Sequence, residues 1–234
     1  TTLVKRDDRW RVEEKGGYTA DFDKLLGVLN GLAAATYVEK KTARPANFAQ
    51  LGLEGIDAGD GKSALVTVRR GDQTESLLVG DESGAGQGFF VRRPDDNQVW
   101  LADKISRINT DPTVWINPMI INVDEARIIR ASFTGVSGEH LTVTRDGPSD
   151  GAGEGEGEGE GEKAGWKVTD LPVDKELKYP TVADSVARTL INVRANDVRP
   201  REGEPWQAVA TAVFGLDDGR EILVAARVEN DGRY

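Results

Sequence analysis

Cysteine is absent from this 234-residue chain, and histidine and methionine occur once each. The first absence excludes disulfides, thiol nucleophiles, Cys-based zinc sites and iron–sulfur clusters. The lone histidine, His140, removes most Ser–His catalysis. Positive charge is also short: 30 Lys+Arg stand against 40 Asp+Glu, a net charge of −10. Phosphate contact needs a basic footprint, so nucleic-acid binding is not the main task. No apolar run approaches the ~20 residues that cross a bilayer; the longest lies around Leu32–Val38. What is present is 38% hydrophobic and 30% charged. That composition can bury the core of one large domain or two small ones without cross-links.

The acidity is concentrated. Residues 151–162, GAGEGEGEGEGE, carry five glutamates and no base. Glycine costs much entropy to order and like charges at every second position repel, so the tract reads as a solvated loop. It lacks the fixed turn and mixed oxygen ligands of a calcium site. The chain opens on Thr1 inside what reads as a strand, TTLVKR, which suggests a piece cut from a longer product.

An internal repeat organises the rest. Leu3–Asp7 followed by Trp10-Arg11-Val12 matches Thr142–Asp146 followed by Trp166-Lys167-Val168. Each reads as a strand ending in Arg-Asp, a turn, and a strand opening on Trp. The first turn is Asp8-Arg9, and the second is swollen by the Gly–Glu tract, an insertion that a hairpin tip tolerates. A helix follows each. Thr19 caps the first, with Phe22, Leu25, Leu26, Leu29, Leu32 and Ala33 on one face. Thr181, after Pro180, caps the second, with Val182, Val186, Leu190 and Val193. Hairpins then pair Ser63–Arg70 with Glu75–Gly80 across Gly71-Asp72, and Gln207–Leu216 with Arg220–Glu229 across Asp217-Asp218-Gly219. Only the first copy continues, through Gly88–Arg93 and Gln98–Leu101 and a short turn capped by Asp111, before Arg127–Thr134 pairs with His140–Arg145. The expected fold is α+β: two tandem repeats, each one helix packed on an antiparallel β-sheet built of hairpins. The boundaries are 1–125, with a truncated N-terminal strand, and 126–234, with the Gly–Glu insertion at 147–165 and truncated C-terminal strands.

Candidate chemistry is sparse. His140, beside Glu139, has no second ligand and no nucleophile in register, so it reads as a surface strand end. Gly61-Lys62-Ser63 lacks the preceding glycine of a phosphate loop and runs into a strand instead of a helix. Gly84–Gly88 lies between strands and reads as a turn. The pairs Asp7-Asp8, Asp95-Asp96 and Asp217-Asp218 sit where Asp forms turns, not across a cleft. Trp10 and Trp166 hold equivalent positions and read as core. Trp100 and Trp115 fall outside the repeated frame and read as exposed aromatics. Arg92-Arg93, beside Phe89-Phe90, could meet an anionic partner or line a solvated face. No residue is assigned as catalytic, cofactor-binding or metal-binding; the candidate contacts are Trp100, Trp115, Arg92 and Arg93.

The order Trp10-Arg11-Val12, Tyr18–Asp21, Tyr37-Val38-Glu39 and Phe48–Leu53 resembles the bacterial family catalogued as domain of unknown function 4340. Leu78–Gly80, Phe90–Arg92, Trp100-Leu101 and Trp115 with Ile120-Ile121 extend the resemblance over most of 1–145, and the repeat carries it into 166–234. The resemblance implies a domain outside the cytoplasmic membrane, held by an upstream helix and associated with transport or gliding systems, with no catalytic residues to carry over. The expectation is therefore a non-catalytic extracytoplasmic module that binds or scaffolds a protein partner in a membrane or envelope complex, without cofactor or nucleic acid. The alternatives are a glycan- or peptide-binding domain using exposed aromatics and, last, a hydrolase.

Overall fold

Leu3–Arg6 (β1) and Arg9–Val12 (β2), the latter with Trp10 and Val12 at alternate positions, form the first hairpin. Arg6 pairs with Arg9, so the turn is Asp7-Asp8, one residue before the expected Asp8-Arg9. Both aspartates have positive φ, 50° and 58°. That is the two-residue turn whose twist matches paired strands, and Asp tolerates the left-handed region better than most residues. This structure, a computed structural model, describes residues 1–54, 63–84, 86–145, 165–171, 173, 176, 177, 179, 182–200 and 207–227. The Gly–Glu tract, Gly61-Lys62, Pro180, Thr181, Trp206 and residues 228–234 lie outside them. Two compact units are formed, one by Thr1–Pro118 with Asn196–Pro200, the other by Met119–Ala195 with Arg201–Tyr234.

In the first unit, Tyr18–Thr19 (β3) adds to β2, completing a sheet of order β1-β2-β3. Thr19 is therefore in a strand, and the capping role falls to Asp21, whose carboxylate accepts from the Lys24 backbone N–H at 3.1 Å. The helix Phe22–Ala34 (α1) buries Leu25 and half-buries Val28, Leu29 and Leu32, while Phe22 and Leu26 are 51% and 39% exposed. The covered arc is thus narrower than the stripe expected from three- and four-residue spacing. Leu25 joins Val12, Ala20, Trp115 and Ile116 in one core cluster, with Trp10 half-buried against it.

The second sheet of this unit comprises Tyr37–Lys40 (β4), Ala64–Arg70 (β5), Gln73–Glu82 (β6), Phe89–Arg92 (β7) and Trp100–Ala102 (β8). Its order is β4-β8-β7-β6-β5, antiparallel throughout. One face, with Val79, Phe89, Val91 and Ala102, packs against Leu32 and Ala35 at the end of α1. Leu78 on the other face meets Phe48 and Leu53. Both faces are covered at Leu77–Val79 of β6 and Phe89–Val91 of β7, where consecutive residues are apolar.

The second unit contains Met119–Ile121 (β9), Ile128–Thr134 (β10), His140–Arg145 (β11), Trp166–Val168 (β12), Val182–Ala187 (α2), Val193–Arg194 (β13), Ala210–Leu216 (β14) and Glu221–Ala226 (β15). The main sheet runs β12-β11-β10-β14-β15, and β13 pairs with β9. Short α2 packs on β10, β11 and β12. Ile128, Ala131, Val143, Trp166, Ala187 and Phe214 are in its core. Trp166 is 6% exposed, and the Arg145 guanidinium lies over its ring at 5.2 Å.

Each unit is therefore α+β with antiparallel sheets. The Trp-led hairpins differ in register from the sequence match. Lys5 faces Trp10, whereas Arg145 faces Trp166, so Lys5 and not Arg6 corresponds to Arg145. The surroundings differ too. In the second unit β10 flanks β11 and joins β14 in the same sheet, while the first hairpin belongs to a three-stranded sheet of its own.

Candidate functional site

The four candidate contacts are not brought together. Trp100 on β8 pairs with Val91 on β7, and Arg92 is the next residue along, so period-two alternation sends Trp100 and Arg92 to opposite faces of one sheet. Arg92 lies over the Phe48 ring at 4.6 Å and donates to the carbonyl oxygens of Leu53, Arg93 and Pro94. Burial draws its guanidinium below the ordinary value. It ties the 45–54 segment to the sheet. Arg93 is exposed and sits 3.4 Å from Glu75 and 3.5 Å from Asp95. Trp115, expected to be exposed, is core at 5% exposure. Asp111 caps the turn Pro112–Trp115 by accepting from the Thr113 N–H, and this turn rolls the indole inward until Nε1 donates to the Asn109 carbonyl at 2.8 Å.

Trp100, expected to be exposed, is half-buried on β8 and forms a patch with the outermost strand, β4. Its ring stacks on Tyr37 of β4, with centroids 5.1 Å apart and planes inclined by 22°. Lys40, directly opposite Trp100, holds Nζ 6.0 Å from the indole centroid. All four residues of β4 are exposed, Tyr37 and Val38 each at 55%. The strand is placed by the Thr36–Asp103 pair. Thr36 donates through N and Oγ1 to the Asp103 carboxylate at 2.9 and 3.0 Å, and accepts from the Asp103 N–H at 3.1 Å. Those two donors hold the Asp103 carboxyl below the usual range. The register shifts between Tyr37 and Glu39, leaving Val38 at a bulge. A bulge and lysines are the usual guards of an edge against indiscriminate strand pairing. What remains is a side-chain surface with an aromatic centre. Tyr37 carries no catalytic signature, but its place in a short strand that runs out into Lys40-Lys41 was the sequence signal for an edge aromatic.

A second concavity, of about 360 Å³, lies beside α1, lined among others by Asp23, Lys24, Gly27, Arg107, Asn109 and Trp115. The buried Trp115 forms its floor, and the other five residues are exposed around it. Lys24 Nζ donates to the Val114 carbonyl at 2.6 Å.

Glu14, Asp103, Asp111, Asp197 and Asp218 all have carboxyl pKa values displaced downward. A general acid needs the opposite shift. For Asp111 the cause is the Thr113 N–H, for Asp197 the Lys15 ammonium at 2.6 Å, and for Asp218 the Arg220 side chain at 2.8 Å. These groups cap and clamp turns. His140 begins β11 exposed, near the hydroxyls of Thr134 and Thr142 and 3.7 Å from Asp170. Among the described residues, no three His, Asp or Glu side chains form a metal-holding group, and no helix is long and apolar enough to cross a membrane.

Comparison with curated proteins and with solved structures finds no match in either. The family model described as Domain of unknown function (DUF4340) matches residues 10–221, nearly the whole length; the chain belongs to that family.

Proposed function

We propose that this chain is a non-catalytic binding module that engages a protein component of a membrane-associated transport or envelope complex, on the outer side of the cytoplasmic membrane. The observation that carries the binding reading is the stack of Tyr37, 55% exposed on the outermost strand, against Trp100 of the neighbouring strand. Aromatic side chains supply large contact area at small entropy cost and dominate protein interfaces. Lys40, beside the indole, adds a cation to the patch in a chain of net charge −10, suited to an acidic partner, while Lys41 is paired with Glu39 at 2.6 Å. The direction of the carboxylate shifts supports the non-catalytic part, because these groups serve turns and caps. The compartment and an anchor outside this sequence rest on what the family resemblance implies.

The test is recovery from native membranes with the wild-type chain and with Tyr37→Ala. The reading expects a transport or envelope protein with the first and its loss with the second. Equal recovery by both contradicts it, as does quenching of tryptophan by soluble envelope glycans with no protein captured. We also propose that the two units share a hairpin–helix–hairpin ancestry. Support comes from the Trp-led hairpins, each followed by a helix and a later hairpin. An experimental structure in which Lys5–Trp10 and Arg145–Trp166 fail to superimpose would end that reading.

A further inference from the structure

We infer that the cleft beside α1 binds a small amphipathic monocarboxylate, its apolar body over Trp115 and Gly27 and its carboxylate at Arg107 and Lys24. Size is the first ground: about 360 Å³ lies within the ~300–1,000 Å³ range of small-molecule sites. The lining is the second. An indole floor with Val28 and Val114 is ringed by polar groups, which is how binding clefts orient an apolar ligand.

Gly27 is the third ground. Glycine inside a helix weakens it, and a Cβ added at Gly27 would meet nothing within 4 Å. Four residues on, Gly31 has an internal explanation, since its Cβ would lie 2.6 Å from the Lys104 carbonyl oxygen. No such contact explains Gly27. Its missing side chain keeps the cleft open and lets a ligand reach the helix backbone.

Charge is the fourth. Two cations, Lys24 and Arg107, and one carboxylate, Asp23, are among the lining side chains, and Arg107 is the cation left for a ligand's negative charge. Arg107 has no hydrogen-bond or ion-pair partner among the described residues. Lys24 already meets the Val114 carbonyl and lies 3.6 Å from Asp21, but an ammonium has three donors. The site is separate from the Tyr37–Trp100 patch, and its failure leaves that reading standing.

The experiment is an NMR titration of the full chain with octanoate and 4-phenylbutyrate, and with octanamide as the uncharged isostere. Expected are saturable shifts at the Gly27 amide and the Trp115 indole N–H for both acids. A charge-assisted hydrogen bond contributes about tenfold or more in affinity, so octanamide binds at least about tenfold more weakly. Arg107→Gln brings the acids down to the level of the amide. Gly27→Leu fills the cleft and removes binding, while its melting temperature does not fall, which separates lost binding from lost folding. Absence of saturable shifts, equal binding of acid and amide, or unchanged binding by Gly27→Leu each overturn the inference.

Discussion

Gly27 and Gly31 occupy one helix, four residues apart, and the same substitution is predicted to act on them in opposite directions. Alanine is better than glycine in a helix interior by about 1 kcal/mol. At Gly27 nothing lies within 4 Å of the new methyl, so Gly27→Ala keeps the whole gain. At Gly31 the methyl would sit 2.6 Å from the Lys104 carbonyl oxygen, a backbone atom that cannot swing aside. Inserting a methyl where backbone must shift costs roughly 1–3 kcal/mol, which cancels or exceeds the propensity gain. The two variants should therefore differ by roughly 1–3 kcal/mol, with Gly27→Ala above wild type and Gly31→Ala at or below it. For a chain of this size about 1 kcal/mol moves the melting temperature by roughly 2–4 °C. Urea midpoints at constant m-value, together with thermal melts, measure the difference. Equal stabilisation by both alanines would refute the close approach of α1 to the 104 segment, and with it the contrast that makes Gly27 a feature of the cleft.

Other outcomes follow from the same physics. Asp8→Gly should stabilise the first hairpin by roughly 0.5–1 kcal/mol, because the turn needs positive φ that glycine adopts freely; denaturant unfolding checks it. Trp166→Ala should destabilise the second unit by roughly 3–5 kcal/mol, since it empties a core position and strips Arg145 of the ring beneath it, measurable by urea titration. Asp218 is held well below its ordinary 3.8 first by the Arg220 side chain, then by the Arg220 N–H. A depressed carboxylate adds stability above the unfolded-state value and loses it as pH falls through the folded one. Wild type should thus lose urea resistance on acidification below about pH 4, and the gap between it and Asp218→Asn should close over the same range. Tyr37→Ala should change stability little, because the side chain is 55% exposed, while removing partner capture.

Where local chemistry decides structure, the sequence was readable. Gly71-Asp72 and Asp217-Asp218-Gly219 set the turns of two hairpins whose strands lie close to their expected limits. Asp111 followed by Pro112 marked a capped turn, and the structure forms it. Sites settled by competition between neighbours were less legible. Thr19 could cap a helix, but pairing of β3 with β2 claimed it and moved the start of α1 to Asp21. Trp115 looked unpartnered because its acceptor, the Asn109 carbonyl, becomes available only once the turn has formed. Arg92 and Trp100 seemed able to share a surface, yet a one-residue difference in pleat phase separates them by the thickness of a sheet. The stacking of Tyr37 on Trp100 depends on pairing β4 with β8, strands more than sixty residues apart, and no local pattern encodes that pairing.

Site-specific photo-crosslinking tests the central claim most directly. A benzoylphenylalanine placed at position 37, on β4, is compared with one at position 68, exposed on β5 at the opposite edge of the same sheet. In native membranes the account predicts a crosslink from position 37 to one transport or envelope protein and none to that protein from position 68. Equal labelling from both positions, or labelling from 68 alone, would contradict it.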